Sequence, residues 1–104
     1  MSQILLCYCT CPSADMAQHL AERLVGESLA ACVNLLPKMT SVYRWEGKVT
    51  TQSEALLLIK TTDTRFEALR QRLVELHPYD VPELIGVPVE HGHDAYLEWV
   101  RRET

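Results

Sequence analysis

Residues 39–62, MTSVYRWEGKVTTQSEALLLIKTT, are the segment that most constrains the fold. Strand-forming residues flank the turn sequence WEGK at 45–48, which predicts a long β-hairpin. A strand over 34–45 would span roughly 40 Å at ~3.3 Å per residue, whereas a helix over 13–25 would reach only about 20 Å. The hairpin therefore overhangs its own domain and exposes apolar side chains and unpaired backbone groups. We predict a homo-oligomer whose binding sites lie between subunits.

Composition indicates one compact domain covering residues 1–104, because 47% of the residues are hydrophobic and 23% are charged. The formal net charge of -4 argues against nucleic-acid binding, which requires a basic surface. The apolar run at the start stops at Cys7 and no basic residues precede it, so we predict neither a signal peptide nor a membrane span. We therefore expect a cytosolic protein with free cysteine thiols.

The first half of the chain is predicted to form a strand, a helix and a second strand. Residues 3–9 are an apolar run that suits a buried central strand. Ser13 is placed to cap the following helix, and Gly26 is placed to end it. An extended stretch follows over 29–45. Pro37 interrupts it and predicts a bulge, because proline cannot donate to a strand ladder.

The second half is predicted to repeat this order and to add a helix. The return strand of the hairpin is polar at its tip and apolar over 55–59, which indicates burial at its base. The sequence TRFE at 64–67 has the pattern of a capping box that opens a second helix, and Pro78 ends that helix. A short strand over 84–89 and a terminal helix over about 94–102 complete the chain.

The resulting order, βαββαβ plus a C-terminal helix, predicts an α+β fold. It is a ferredoxin-like split βαβ sandwich, in which both main helices cover one face of a four-stranded antiparallel sheet. A doubly wound parallel sheet would need a crossover between the second and third strands. The two-residue turn of the hairpin cannot supply one.

Cys7, Cys9 and Cys11 alternate along the first strand and its end, so their side chains are predicted to share one face. Three convergent thiolates would suit a soft ion such as Cu(I). Cys7 is predicted to pack in the core, as free cysteines commonly do. Cys9 lies where the strand ends beside a helix N-terminus, which should lower the pKa of its thiol, and we expect either a ligand or a reactive role for it.

Enzyme signatures are absent from the sequence, which contains no glycine-rich phosphate loop, GxSxG, HExxH or CxxC motif. A Cys9 nucleophile with a His77 base is the one enzymatic alternative, since such partners need only meet in space. His77 is otherwise explained as a cation at the C-terminal end of the second helix. We predict a protein that is not an enzyme.

The chain resembles the CutA family of divalent-cation tolerance proteins, and the resemblance extends over nearly its full length. It is carried by Cys9-Thr10-x-Pro12, Leu29-Ala30-Ala31-Cys32-Val33-Asn34, Ser41-Val42-Tyr43-Arg44-Trp45-Glu46-Gly47-Lys48, Leu58-Ile59-Lys60-Thr61 and His77-Pro78-Tyr79-Asp80-Val81-Pro82-Glu83-Leu84. The resemblance implies a homotrimer of ferredoxin-like subunits whose long hairpins pair between neighbours, as in PII-type signalling trimers. It also implies a role in tolerance of copper or other divalent cations, none of them an obligatory cofactor.

A copper site described in this family uses the cysteine at the end of the first strand and two adjacent histidines. The resemblance therefore implies Cys9 and His77 as metal ligands in this chain. Leu76 stands at the position of the second histidine, so one ligand is missing. Cys11 is our own candidate for the missing ligand, because it is a soft donor two residues beyond Cys9.

The same motifs indicate a second site formed by Trp45, Lys60, Tyr79 and Glu83, which in the family gather around the cleft between subunits. An aromatic wall with a cation, a phenol and a carboxylate is typical of a small-ligand pocket. The same aromatic residues are also typical of a subunit interface. Both interpretations stay open, and the first would make the protein a PII-like sensor that binds a small anionic ligand.

Overall fold

The structure is a computed structural model that describes residues 2–104, which form four strands and three helices in the order βαββαβα. The strands are β1 (Ile4–Cys11), β2 (Cys32–Trp45), β3 (Lys48–Thr62) and β4 (Ile85–Pro88), and the helices are α1 (Ala14–Gly26), α2 (Phe66–Leu76) and α3 (Asp94–Glu103). The strands lie in one antiparallel sheet in the order β2-β3-β1-β4. The predicted ferredoxin-like fold is confirmed.

The core lies between α1, α2 and one face of the sheet. Alternate residues of β1 and β3 face these helices and are fully buried, among them Cys7, Cys9, Cys11, Ala55, Leu57 and Ile59. Leu20 of α1 and Leu73 of α2 pack against them. The buried position of Cys7 agrees with its predicted core role. On the opposite face of the sheet, α3 covers one end, where its Val100 packs with Ile4 of β1. The rest of that face leaves Tyr8 and Ile85 exposed.

The β2–β3 hairpin is the long ribbon that the sequence predicts, and the molecule measures 44 × 25 × 22 Å. Glu46 (φ 49°) and Gly47 (φ 79°) form its two-residue turn, and both are left-handed, which matches the twist of the strands. Val42, Trp45 and Val49 near the tip are 64%, 61% and 72% exposed. A single chain therefore leaves the apolar side chains of this ribbon uncovered.

The bulge in β2 matches the sequence prediction, whereas the start of β2 and the end of α1 differ from it. The register between β2 and β3 shifts between Leu36 and Met39, so the predicted bulge at Pro37 is confirmed. β2 begins at Cys32 and not at residue 29. Gly26 is the last residue of α1 and does not stop it in a left-handed conformation, because that conformation belongs to Ser28 (φ 57°).

The predicted N-terminal cap of α1 is confirmed, and that of α2 is not. Ser13 caps α1 as predicted, since its Oγ accepts a hydrogen bond of 3.1 Å from the backbone N–H of Met16. The capping box at 64–67 is wrong: Arg65 is the N-cap of α2, and its side chain makes no capping bond. The Thr64 hydroxyl instead lies 3.1 Å from the Thr62 hydroxyl, and Glu67 binds Arg70. A capping box needs an extended N-cap, whereas Arg65 already has helical angles.

None of the three helices within 2–104 is long and apolar enough to cross a membrane.

Replacing Gly47 with alanine is expected to lower the free energy of unfolding by about 1–2 kcal/mol, because an L-residue with a Cβ is strained at positive φ. Nothing lies within 4 Å of a Cβ built at this position, so the cost is conformational and not steric. Gly26→Ala is the matched control. It lies in the last turn of α1, also with nothing within 4 Å, and alanine there should stabilise the helix slightly. Chemical denaturation of both variants at one protein concentration measures the free energies of unfolding. Equal changes for the two variants would contradict a conformational strain at residue 47.

Candidate metal site and neighbouring pocket

Cys9, Cys11 and His77 converge at the end of β1. The sulfurs of the two cysteines and a ring nitrogen of His77 all lie within 4.8 Å of one another, and all three residues are buried. The cysteines share a face because they are two residues apart on a strand. His77 follows α2 directly, and the extended conformation required before Pro78 (φ -76°, ψ 139°) turns its side chain toward β1. Within 2–104 this is the one cluster of three such side chains with metal-ligand spacing.

Both ring nitrogens of His77 have protein partners. Nε2 lies 2.8 Å from the carbonyl oxygen of Thr10, and Nδ1 accepts a hydrogen bond of 3.1 Å from the backbone N–H of Tyr79. These partners place the proton of the neutral ring on Nε2. The side chain therefore binds the backbone of β1 and of the loop after α2. The interpretation of His77 as a cation at the C-terminal end of α2 does not account for these contacts, since the residue is only 6% exposed and its ring binds backbone groups outside the helix.

The pKa values of the two cysteines in the cluster are shifted in opposite directions, and Cys11 is the one with the lowered pKa. A hydrogen bond from the Cys9 thiol and another from His77 lower the pKa of Cys11 to about 6, against the opposing effect of burial. The same hydrogen bond to Cys11, together with burial, raises the pKa of Cys9 well above its usual range. The predicted lowering of the pKa of Cys9 is therefore wrong. Of the two thiols, Cys11 is therefore the one whose surroundings favour the thiolate.

The pKa of His77 is also shifted. Burial lowers it, but hydrogen bonds to Cys11 and to the Thr10 carbonyl, with the negative charges of Cys11 and Glu54, raise it on balance. Cys7 lies on the same strand face outside the cluster, and burial raises its pKa to about 11. Leu76, adjacent to His77, is partly buried against the core and offers no ligand atom.

The second predicted site is partly assembled within one chain. Trp45, Tyr79 and Glu83 line a cavity of about 550 Å³ on the face of the sheet opposite α1 and α2, at its hairpin end. Lys60 is elsewhere: its Nζ donates to Asn34 Oδ1 and lies 3.8 Å from Cys32 Sγ. Lys60 is six positions beyond Glu54 on β3, which is roughly 20 Å along an extended strand. Only three of the four predicted residues therefore meet in a single chain.

Sequence reasoning missed several residues of this cavity, of which Glu54 is the most informative. Its carboxylate is only 7% exposed, and Oε2 accepts a hydrogen bond of 2.9 Å from the Tyr79 hydroxyl. The sequence did indicate that Glu54 is buried, because it shares a strand face with Leu56 and Leu58 at the edge of the apolar run. The remaining lining residues are Thr10, Tyr43, Gln52, Pro78, Asp80 and Val81.

Polar side chains of the cavity wall are held by hydrogen bonds to one another. The Thr10 hydroxyl donates to Glu83 Oε1 over 3.3 Å, and the Tyr43 hydroxyl donates to Gln52 Oε1 over 2.6 Å. Burial and the bond to Glu54 raise the pKa of Tyr79 to about 12, so its hydroxyl stays a donor at neutral pH. Thr10 joins the two sites: its carbonyl binds His77 on one face of the sheet, and its side chain lines the cavity on the other.

Comparison with known families agrees with this architecture. The family model described as CutA1 divalent ion tolerance protein matches residues 5–103. The chain belongs to the CutA1 family. It is 48% identical over 95 residues to the divalent-cation tolerance protein CutA of Thermus thermophilus, a match that covers 91% of this chain and 92% of that protein. The crystal structure of CutA1 from Oryza sativa superimposes with a TM-score of 0.96 at 43% identity, covering 99% of this chain and 94% of the rice chain.

Relatives from animals and plants are longer. Human protein CutA is 45% identical over 97 residues, which cover 93% of this chain but 54% of the human protein. The chain thus spans about half the length of this relative, and the shared part is the CutA1 domain.

Proposed function

We propose that this member of the CutA1 family is a homotrimeric, cytosolic, non-enzymatic protein that binds copper as Cu(I) through Cys9, Cys11 and His77. The proposal is carried by the approach of two sulfurs and one imidazole nitrogen to within 4.8 Å of one another. Cys11 takes the ligand position left open by Leu76.

The donor set selects the class of ion. Thiolate sulfur and imidazole nitrogen bind soft and borderline ions such as Cu(I), whereas Mg²⁺ and Ca²⁺ require oxygen ligands. A structural zinc site would need four ligands, and the cluster offers three. Cu(I) accepts three or two ligands, and a thiolate at Cys11, whose pKa is lowered, would balance the single positive charge of the ion.

Binding requires a local rearrangement at His77. Each ring nitrogen is already hydrogen-bonded, Nε2 to the Thr10 carbonyl and Nδ1 to the Tyr79 N–H. A metal ion must replace one of these partners and displace any proton on the atoms that bind it. We therefore expect the two sulfurs to provide most of the affinity and His77 to complete the coordination.

Titration of the reduced protein with Cu(I) against a chromophoric Cu(I) chelator tests the proposal. Cys9→Ser and Cys11→Ser are each expected to lower the affinity by more than the ~100-fold that loss of an outer partner of a metal ligand can cost. Cys32→Ser is the matched control, since it removes a partly exposed thiol outside the cluster and should leave the affinity unchanged. Equal affinities for the wild type and both cluster variants would refute the proposed ligands.

The Cu(I) affinity is expected to rise with pH. Protons compete with the metal for Cys9, Cys11 and His77, and the pKa of Cys11 is about 6. Below that value Cys11 also binds a proton, so the affinity should fall most steeply there. Each displaced proton changes the affinity by about tenfold per pH unit. The same titration at several values between about pH 5 and pH 8 measures this slope; an affinity independent of pH would mean that these groups are not the ligands.

The trimer is supported by the exposed apolar side chains at the hairpin tip and on the part of the opposite sheet face that α3 does not cover, such as Tyr8 and Ile85. Both edge strands, β2 and β4, have unpaired backbone groups on their outer sides, which invites pairing with another copy. The four free cysteines support a reducing, cytosolic compartment.

The alternative function, a PII-like sensor that binds a small anionic ligand in a cleft between subunits, has less support. It relied on Lys60 as the cation of the cleft, and Lys60 lies outside the cavity that contains Trp45, Tyr79 and Glu83. An anionic ligand would therefore need a cation from a second copy. A reactive Cys9 is also disfavoured, because its pKa is raised and its side chain is fully buried.

A further inference from the structure

The charged groups of the cavity beside the hairpin, on the sheet face opposite α1 and α2, all have one sign. Three carboxyl groups line it, those of Glu54, Asp80 and Glu83, and none of its lining residues is basic. None of these three groups forms a salt bridge within the part of the chain that the structure describes. The cavity is therefore complementary to a positively charged ligand.

Glu54 is a buried acidic residue whose carboxylate needs a stabilising partner. Only 7% of it is exposed, and a buried carboxylate is costly unless a cation or several donors stabilise it. Oε2 receives the Tyr79 hydroxyl, but Oε1 receives no hydrogen bond from any described residue. Every fully enclosed side-chain nitrogen or oxygen in residues 2–104 has a partner, so this oxygen must open onto the cavity that Glu54 lines.

The other walls fit an organic cation better than a metal ion. Trp45, Tyr43 and Tyr79 line the cavity with aromatic rings, which attract cations to their faces and also cover apolar carbon chains. A hard metal ion would need several oxygen ligands close together, and within residues 2–104 the carboxylates of Glu54, Asp80 and Glu83 do not form a group with metal-ligand spacing. The volume of about 550 Å³ is within the range of small-molecule pockets.

The geometry points to a binding site for an organic ammonium ion in this cavity, with Glu54 Oε1 accepting a hydrogen bond from the ammonium group and the rings of Trp45 and Tyr79 covering its carbon chain. This site is separate from the Cys9–Cys11–His77 cluster and lies on the other face of the sheet. It reverses the charge of the ligand expected from the sequence, and it does not depend on copper binding.

Tryptophan fluorescence tests the site with three probes of one length: n-butylammonium, 1-butanol and butyrate. The chain has two tryptophans, and Trp99→Phe leaves Trp45 in the cavity as the reporter. We expect n-butylammonium to change the emission saturably, and 1-butanol and butyrate to have no effect at the same concentration. Equal responses to the amine and the alcohol would overturn the proposal, because carboxylate charge would then play no part.

Glu54→Gln keeps the shape of the side chain and an acceptor for Tyr79, and should weaken n-butylammonium binding at least tenfold. Glu83→Gln should also weaken it, and it provides a second variant should the buried position not tolerate the first. Glu22→Gln, an exposed acid on α1 outside the cavity, is the matched control and should bind normally. Unchanged binding in both cavity variants would overturn the proposal.

A lysine of a second copy is the competing occupant. Lys60 is the candidate because it lies on the same face of the sheet and has no salt bridge among the described residues. If such a lysine filled the cavity, n-butylammonium would bind only to Lys60→Met and not to the wild type, and the proposal would fall. Saturable binding to the wild type with equal affinity in Lys60→Met supports it.

Discussion

Leu73→Ala is expected to lower the free energy of unfolding by about 2–5 kcal/mol, the usual cost of removing a fully buried leucine side chain. Leu73 is 0% exposed and contributes, with Leu69, the face of α2 that packs on the sheet. Alanine would leave a cavity between α2 and the strands, because close-packed surroundings collapse only in part. Chemical denaturation followed by circular dichroism measures the change.

The matched control is the next residue on the same helix. Val74 is 44% exposed, so Val74→Ala removes little buried surface and should change the free energy of unfolding by less than about 0.5 kcal/mol. Both variants must be compared at one protein concentration, because subunit association adds to apparent stability. A similar cost for the two variants would show that α2 does not pack as described.

The double variant Val42→Lys/Val49→Lys is expected to abolish the trimer. These valines are 64% and 72% exposed near the hairpin tip, and lysine would place two desolvated charges in any interface that covers them. Light scattering should report three times the 11.9 kDa of one chain for the wild type and the mass of one chain for the variant.

Val25→Lys/Val74→Lys is the control for added charge. These valines are 42% and 44% exposed on the two helices that cover the core, away from the hairpin. This variant should keep the trimer. A wild type that already has the mass of one chain would contradict the proposed assembly outright, and loss of the trimer in both double variants would show that charge, not position, is responsible.

The hairpin was predictable from the sequence because its determinants are local. The Glu46-Gly47 turn, the bulge at Pro37 and the alternation of the strands each depend on residues adjacent in the chain. The predicted capping box is wrong because the start of α2 does not depend on adjacent residues alone. Its pattern is local, but the angles of Arg65 and the contact between Thr62 and Thr64 depend on how β3 leads into α2.

The candidate sites were less predictable because they join distant segments. The side chains of Cys9 and Cys11 share a face by strand geometry, but the position of His77 beside them depends on the packing of α2. The raised pKa of Cys9 and the lowered pKa of Cys11 could not be predicted without that geometry, because the hydrogen bond between the two side chains is the largest cause of both shifts. The family motifs group Lys60 with Trp45 around a cleft between subunits, and that grouping carries no information on distances within one chain.

X-ray absorption spectroscopy at the copper edge of the reduced, Cu(I)-loaded protein tests the proposed metal site most directly, because it counts the atoms bound to the ion. Two sulfurs and one nitrogen are expected, from Cys9, Cys11 and His77. The sulfur count should fall to one in Cys11→Ser and stay at two in Cys32→Ser. Copper bound only by nitrogen and oxygen, or an unchanged sulfur count in Cys11→Ser, would contradict the site.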